Sequence, residues 1–183
     1  MLTIHLKKQN SIFTHLTEGE KLKIMELSIK VPGNFVEIGS YLGASASFIA
    51  EGILQSGHVE SKLYCIDTWQ NHAMSEGTRD TFAEFLSNTE QYKEIITPLR
   101  GMSTDIARTF QQQIDFIFFD GDHSYEGIKA DVNAWLPKVK KGGMVVFHDI
   151  GWAEGVQKVI KEDMENRLME VGRLPNLIWG KLI

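Results

Sequence analysis

The sequence predicts a doubly wound α/β fold, and three observations carry that prediction. Short apolar runs alternate with helical stretches from Phe35 to Phe147. Runs such as Phe116-Ile117-Phe118-Phe119 are apolar without alternation, as strands covered on both faces require. The first run ends in a glycine turn that opens a helix.

Composition narrows the class before any motif is read. The 183 residues suit a single domain, large enough to bury roughly 70% of the surface of its unfolded chain. With 43% hydrophobic and 23% charged residues, the chain is neither disordered, collagenous nor membrane-like. The net charge of −5 comes without a Lys/Arg block, so nucleic acid is not an expected partner. Residues 1–13 lack the apolar core of a signal peptide, and no apolar run reaches transmembrane length. The one cysteine, Cys65, lies in an apolar stretch and reads as a core thiol rather than a disulfide or zinc ligand. A cytoplasmic location away from membranes is therefore expected.

The elements follow in order. Thr17 and Glu20 have capping-box spacing, and the apolar face of Leu22, Ile24, Met25, Leu27 and Ile29 predicts a helix to about Lys30, where Pro32-Gly33 ends it. Residues 1–30 are expected to form a lid or an oligomer contact. Strand 35–38 leads through Gly39 into helix 44–54, opening a βαβ unit. The pattern repeats as strand 63–66, helix 81–86, strand 95–99, helix 103–110, strand 115–119 and helix 125–136. Lys141-Gly142-Gly143 is read as a turn launching strand 144–147, and a further helix spans about 154–165. Stretches 167–171 and 177–183 are too close for a helical crossover and predict an antiparallel hairpin. Nothing marks a second domain.

The turn Glu37-Ile38-Gly39-Ser40-Tyr41-Leu42-Gly43 sits where open parallel sheets bind ligands. A pyrophosphate would want a second glycine where Ser40 or Tyr41 stands. The chain offers instead an acid late in the strand, a tight turn, and a helix N-terminus at Gly43 and Ser45. That combination suits a ligand bearing a carboxylate and an ammonium. Asp67 ends the second strand 24 residues past Gly43, the place of a ribose-binding acid. An adenosine with an amino-acid tail satisfies both features, although any α/β domain also needs a glycine turn after its first strand.

Val36 to Gly43 resembles the cofactor motif of class I S-adenosylmethionine-dependent methyltransferases, especially the catechol O-methyltransferase-like and macrolide-sugar O-methyltransferase-like group. The resemblance covers about residues 31–149, and Gly101-Met102-Ser103 is similar to the segment which that family places against adenine. It implies a seven-stranded sheet, S-adenosylmethionine as cofactor, and a small hydroxylated acceptor. Trp69, beside Asp67, is expected either near the adenine or in the core, and residues 68–80 are read as an active-site loop.

Asp120-Gly121-Asp122-His123-Ser124-Tyr125 and His148-Asp149 follow the fourth and fifth strands, so they emerge at the edge that carries the glycine turn. Two carboxylates and an imidazole there can hold a divalent cation. By resemblance, Asp120, His148 and Asp149 become the metal set, Asp120 also borders the cofactor, and magnesium is the first expectation. His148 departs from the family's acid at its position. That brings manganese, iron and zinc into view and leaves open whether His148 ligates or only supports. His123 lies where the catechol enzymes carry the proton-abstracting lysine, and an imidazole can take that role at neutral pH. Asp122 and Tyr125 also suit turn and cap positions, and Trp152 is expected to wall the acceptor pocket.

Two other readings use the same residues. A metal-dependent hydrolase or hydroxylase-like enzyme would employ the acidic cluster alone, leaving Glu37, Gly39 and Asp67 without a purpose. A non-catalytic nucleotide-binding module would need the turn and Asp67 but neither His123 nor the His148-Asp149 pair. No Gly-x-Ser-x-Gly elbow supports a serine hydrolase.

Overall fold

The computed structural model describes residues 6–71 and 77–183. Among these, the strands are β1 (Asn34–Ile38), β2 (Lys62–Asp67), β3 (Ile96–Arg100), β4 (Ile114–Phe119), β5 (Val139–His148), β6 (Leu168–Leu174) and β7 (Leu177–Leu182). The helices are α1 (Lys7–Asn10), α2 (Glu18–Ile29), α3 (Ala44–Ser56), α4 (Phe82–Thr89), α5 (Ser103–Thr109), α6 (Tyr125–Trp135) and α7 (Glu154–Val159). The strands form one sheet in the order β3-β2-β1-β4-β5-β7-β6. The first five run parallel, while β7 pairs antiparallel with both β5 and β6, as the hairpin expectation required.

Strand periodicity explains the two cores. Val36 and Ile38 of β1, Ile117 and Phe119 of β4, and Val145 and Phe147 of β5 pack against α5, α6 and α7. The intervening Phe35, Phe116, Phe118 and Val146, with Leu63 and Cys65 of β2, pack against α2 and α3. Cys65 is buried and unpaired, as expected, and burial pushes its thiol pKa up. Gly52 lets α2 approach α3, because a Cβ there would stand 2.6 Å from the Met25 carbonyl oxygen. The predicted capping box is formed: Glu20 N–H donates to Thr17 Oγ1, and Glu20 Oε2 accepts from Thr17 N at 2.7 Å. Residues 6–30 thus contribute two helices that pack against α3, and Glu20 is 2% exposed.

Boundaries depart from expectation at three places. Lys141-Gly142-Gly143 is no turn before a strand but part of β5, whose pairing with β4 slips between Ile114 and Phe116. Gly142, at φ +79°, accommodates that bulge. The helix predicted over 154–165 keeps α-geometry only to Val159 and widens into a π turn over Ile160–Met164. The short α1 was not expected. Pro98 interrupts no ladder, because β3 is the sheet's edge. Among the described residues, no helix is long and apolar enough to cross a membrane.

Strand order reverses between β1 and β4, whose carboxyl ends carry Glu37 to Gly39 and Asp120. Ligands of open α/β sheets bind in the crevice at this kind of switch point.

Candidate active site

Gly39 is held from both sides. Its N–H donates to the Ile66 carbonyl of β2 at 2.9 Å, while Asp120 N–H donates to the Ile38 carbonyl at 2.9 Å. At φ +86°, a Cβ on Gly39 would lie 2.1 Å from the Asp120 carbonyl oxygen. The glycine is therefore dictated by the close approach of the neighbouring strand end. Gly43, also at φ +86°, precedes α3, which begins without a side-chain cap. Its first N–H groups lack intrahelical partners, the condition in which a helix N-terminus takes an anionic group.

Glu37 is fully buried at the end of β1. Burial pushes its carboxyl pKa up to about 7, a rise tempered by Ser40, Ser45 and Cys65 around it. Neither carboxyl oxygen has a partner in hydrogen-bond geometry among the described residues, and Ser40 Oγ is likewise unsatisfied. Native structures leave few such atoms without cause, so this buried acid awaits a donor.

Asp67 ends β2 beside the turn. Its Oδ2 accepts from Ser40 N at 3.0 Å and Tyr41 N at 2.8 Å, and its Oδ1 accepts from Trp69 N at 2.7 Å. The acid shapes the glycine turn itself, and a carboxylate retains lone pairs for further donors. Trp69 takes the core position, one of its two expected places. Its ring is completely buried between Phe82 and Phe85, and its indole N–H donates to the Tyr41 carbonyl at 2.9 Å. It props the turn from beneath and offers no face to an adenine. Met102, at the start of α5, is 60% exposed and free to cover a ring. Ser103 Oγ accepts the Trp135 indole N–H at 2.7 Å and is committed to packing α5 on α6. Of the expected loop 68–80, residues 72–76 lie outside the described residues.

The acids and histidines of the two segments lie together. His123 Nε2 is 2.7 Å from Asp149 Oδ2, and His148 Nδ1 is 3.0 Å from Asp120 Oδ1 and 3.3 Å from Asp149 Oδ1. The set whose ligand atoms lie within 4.8 Å of one another is Asp120, His123 and Asp149. His148, expected as third ligand, touches both carboxylates through Nδ1 but is outside that set. Although His123 Nε2 touches Asp149, it is buried and outside hydrogen-bond geometry with any described atom. An imidazole nitrogen left this way between two carboxylates fits a cation or a proton donor.

Electrostatics follow from these contacts. Burial, with Asp149 nearby, raises the Asp120 carboxyl, and His148 opposes the rise. Burial alone would raise Asp149, but His123, His148 and Asn176 hold it well below the usual carboxylate range. Contact with Asp149 raises the His123 imidazole. Burial alone would lower His148, but its two carboxylate neighbours, Asp120 and Asp149, hold it up at about 10. Asp149 has a left-handed backbone, φ +61°. A non-glycine residue in that region costs about 1 kcal/mol or more and is often found at functional sites.

Two participants, Asn176 and Glu20, were not legible in the sequence, and a third, Trp152, was legible only in its position. Asn176, in the β6–β7 turn, reaches Asp149 and His148, but an asparagine after Pro175 reads simply as turn chemistry. Glu20 Oε2 lies 3.6 Å from His148 Nε2, a contact hidden behind its capping-box role. Trp152 is 61% exposed, and its indole N–H donates to Asp149 Oδ1 at 2.7 Å with its ring edge-on to His123. Its position was anticipated and its hydrogen bond was not. Two surface grooves, of about 490 Å³ beside β3 and α5 and about 410 Å³ between the hairpin and α7, contain no residue of the turn or the acid–histidine cluster.

The sheet order and the crevice between β1 and β4 define the class I S-adenosylmethionine-dependent methyltransferase fold. The chain belongs to the family described as a methyltransferase domain, which matches residues 36–150. Solved structures agree on the fold. The O-methyltransferase NovP superposes with a TM-score of 0.74 at 19% identity, covering 88% of this chain and 78% of that one. The SAH-bound methyltransferase PaMTH1 of Podospora anserina gives 0.73 at 13% identity, covering 98% and 86%. CalS11, a TDP-rhamnose 3'-O-methyltransferase of calicheamicin biosynthesis, gives 0.68 at 17%, covering 89% and 78%. Curated relatives include the uncharacterized protein y4gI of Sinorhizobium fredii, 28% identical over 64% of this chain and 13% of its own length. Uncharacterized protein R132 of Acanthamoeba polyphaga mimivirus is 31% identical over 63% of this chain and 50% of its own length. The chain thus spans half or less of these relatives.

Proposed function

We propose that this protein is an O-methyltransferase that moves the methyl group of S-adenosylmethionine to a small hydroxylated acceptor. The observation that carries the reading is the unsatisfied Glu37 carboxyl buried at the end of β1, next to the glycine turn. Glu37 and the start of α3 suit the ammonium and carboxylate of the cofactor's amino-acid tail. Asp67 suits the ribose hydroxyls, and Met102 the adenine. S-adenosylmethionine supplies an electrophilic methyl on a sulfonium, so the protein's remaining tasks are to align an acceptor oxygen and remove its proton.

His123 is the proposed proton acceptor. Asp149 orients it, and Trp152 packs against it where an acceptor ring would enter. The likeness to NovP, an O-methyltransferase, and CalS11, a TDP-rhamnose 3'-O-methyltransferase, favours an oxygen nucleophile, and the latter a sugar hydroxyl. Asp120 and Asp149 would hold a divalent cation, magnesium first and manganese second, with His148 supporting both acids. A bound cation would lower the acceptor hydroxyl's pKa. The grouping of Asp120, His123 and Asp149 favours a second reading, in which His123 itself is the third ligand.

Calorimetric titration with S-adenosylhomocysteine, with NAD as control, tests the cofactor assignment. Micromolar binding of the former and none of the latter is expected, and the reverse would reject the reading. Excess chelator is expected to abolish turnover on an accepted substrate without displacing S-adenosylhomocysteine. Full turnover in chelator would remove the cation from the mechanism.

Glu37→Gln tests the same turn. The folded carboxyl titrates at about 7, above its unfolded value of 4.5. The apo protein therefore loses stability as pH rises between those values. At pH 8 the variant is expected to be more stable than wild type by up to about 3 kcal/mol; at pH 4 the two should coincide. A neutral amide is a poorer partner for an ammonium, so S-adenosylhomocysteine affinity should fall by about 10- to 100-fold. The wild type's gain in affinity from pH 6 to 8 should vanish. Unchanged affinity at pH 8 would place the amino group elsewhere.

A further inference from the structure

Asp149 has one oxygen tied and one presented. Its Oδ1 accepts from the Trp152 indole N–H at 2.7 Å and from Asn176 Nδ2 at 3.0 Å, while Oδ2 turns to His123. A carboxylate on a left-handed backbone would otherwise be free to rotate about its side-chain torsions. The orientation of Asn176 is fixed independently, because its Oδ1 accepts the Gly151 N–H at 2.8 Å, leaving only Nδ2 for Asp149. Nδ2 also lies 3.2 Å from His148 Nε2. Gly151 leaves room for this bracket, since a Cβ there would stand 2.9 Å from Asn176 Oδ1 and from the Pro175 carbonyl oxygen. The amide thus joins the β6–β7 turn to both residues at the end of β5.

We propose that Asn176 is a positioning residue for the active site: it ties Asp149 Oδ1 back so that Oδ2 is held toward the cation and the acceptor. The proposal rests on the methyltransferase reading for its consequence and on the hydrogen bonds around Asp149 for its geometry. A merely structural turn residue would affect folding and every ligand alike. A positioning residue affects the cation and spares the cofactor, whose proposed contacts lie on β1, α3, β2 and the start of α5.

The test uses the full chain with Mn²⁺ as probe. Asn176→Ala is expected to weaken Mn²⁺ binding, measured by electron paramagnetic resonance, by about 10- to 100-fold, the usual effect of losing a partner that orients a ligand. S-adenosylhomocysteine affinity should stay within about twofold. The Trp152 indole N–H resonance should shift or broaden as Asp149 gains freedom. Wild-type Mn²⁺ affinity in the variant would overturn the proposal, as would an equal loss of Mn²⁺ and S-adenosylhomocysteine binding. If wild-type protein binds no Mn²⁺, the cation reading falls and the indole resonance decides alone: a moved resonance supports the role of Asn176, and an unmoved one overturns it. Should the alanine variant fail to fold, Asn176→Asp still accepts the Gly151 N–H and must move the same resonance.

Discussion

Replacing His123 by Asn is expected to lower turnover by about 10²- to 10⁴-fold, the usual worth of a positioned base. Asn keeps a polar group near Asp149 Oδ2 but cannot take a proton at neutral pH. S-adenosylhomocysteine affinity should survive, because the glycine turn and Asp67 are untouched. The wild-type rate should rise with pH through the histidine titration, since the base acts in its neutral form. In the cation-free protein, contact with Asp149 raises the imidazole above the ordinary histidine value. The variant should lack the limb. Mn²⁺ affinity separates the two roles open to this residue: a base leaves it nearly unchanged, whereas a third ligand takes most of it away. Near wild-type turnover in the variant would move the base elsewhere.

Gly39→Ala is expected to cost more than about 4 kcal/mol and to yield little folded protein, a loss few single substitutions reach. Two penalties combine. An alanine at φ +86° is strained by about 1–2 kcal/mol, and its Cβ would lie 2.1 Å from the Asp120 carbonyl oxygen and 2.8 Å from Gly121 Cα. Both obstacles are backbone and cannot swing aside. Gly57→Ala isolates the first penalty. That residue, at φ +74°, closes α3 with nothing within 4 Å of a Cβ. It should cost only the backbone strain, so thermal denaturation of the two variants separates crowding from conformation. Equal losses would mean that the β1–β4 contact relaxes.

These variants also mark what could be read in advance. Gly39 was legible as a turn, but its reason was not: an apolar run ending in glycine announces a strand and a turn without saying which strand end will press against it. The strands were legible because period-two and continuous apolar patterns report burial locally. The β5 bulge was not, since Gly142-Gly143 serves a turn and an irregular ladder equally well until a partner strand is known. Trp69 shows the same limit for a side chain. Its place after Asp67 put it beside the cofactor acid in sequence, and only the packing of α4 turned its ring into the core between Phe82 and Phe85.

By itself, the sequence determined the α/β alternation, the terminal hairpin, the capping box at Thr17, and the set of strand ends at which Glu37, Asp67, Asp120, His123, His148 and Asp149 gather. Each depends on residue types within a few positions of one another and on the rule that parallel strands present their carboxyl ends on one edge. The tertiary structure alone decided which of those groups touch. His123 meets Asp149 across 26 residues of chain (149 − 123), and Asn176 meets it across 27 (176 − 149). Such contacts are set by strand order and by the angle of a turn, to tenths of an ångström, and no local pattern of hydrophobicity or charge encodes them.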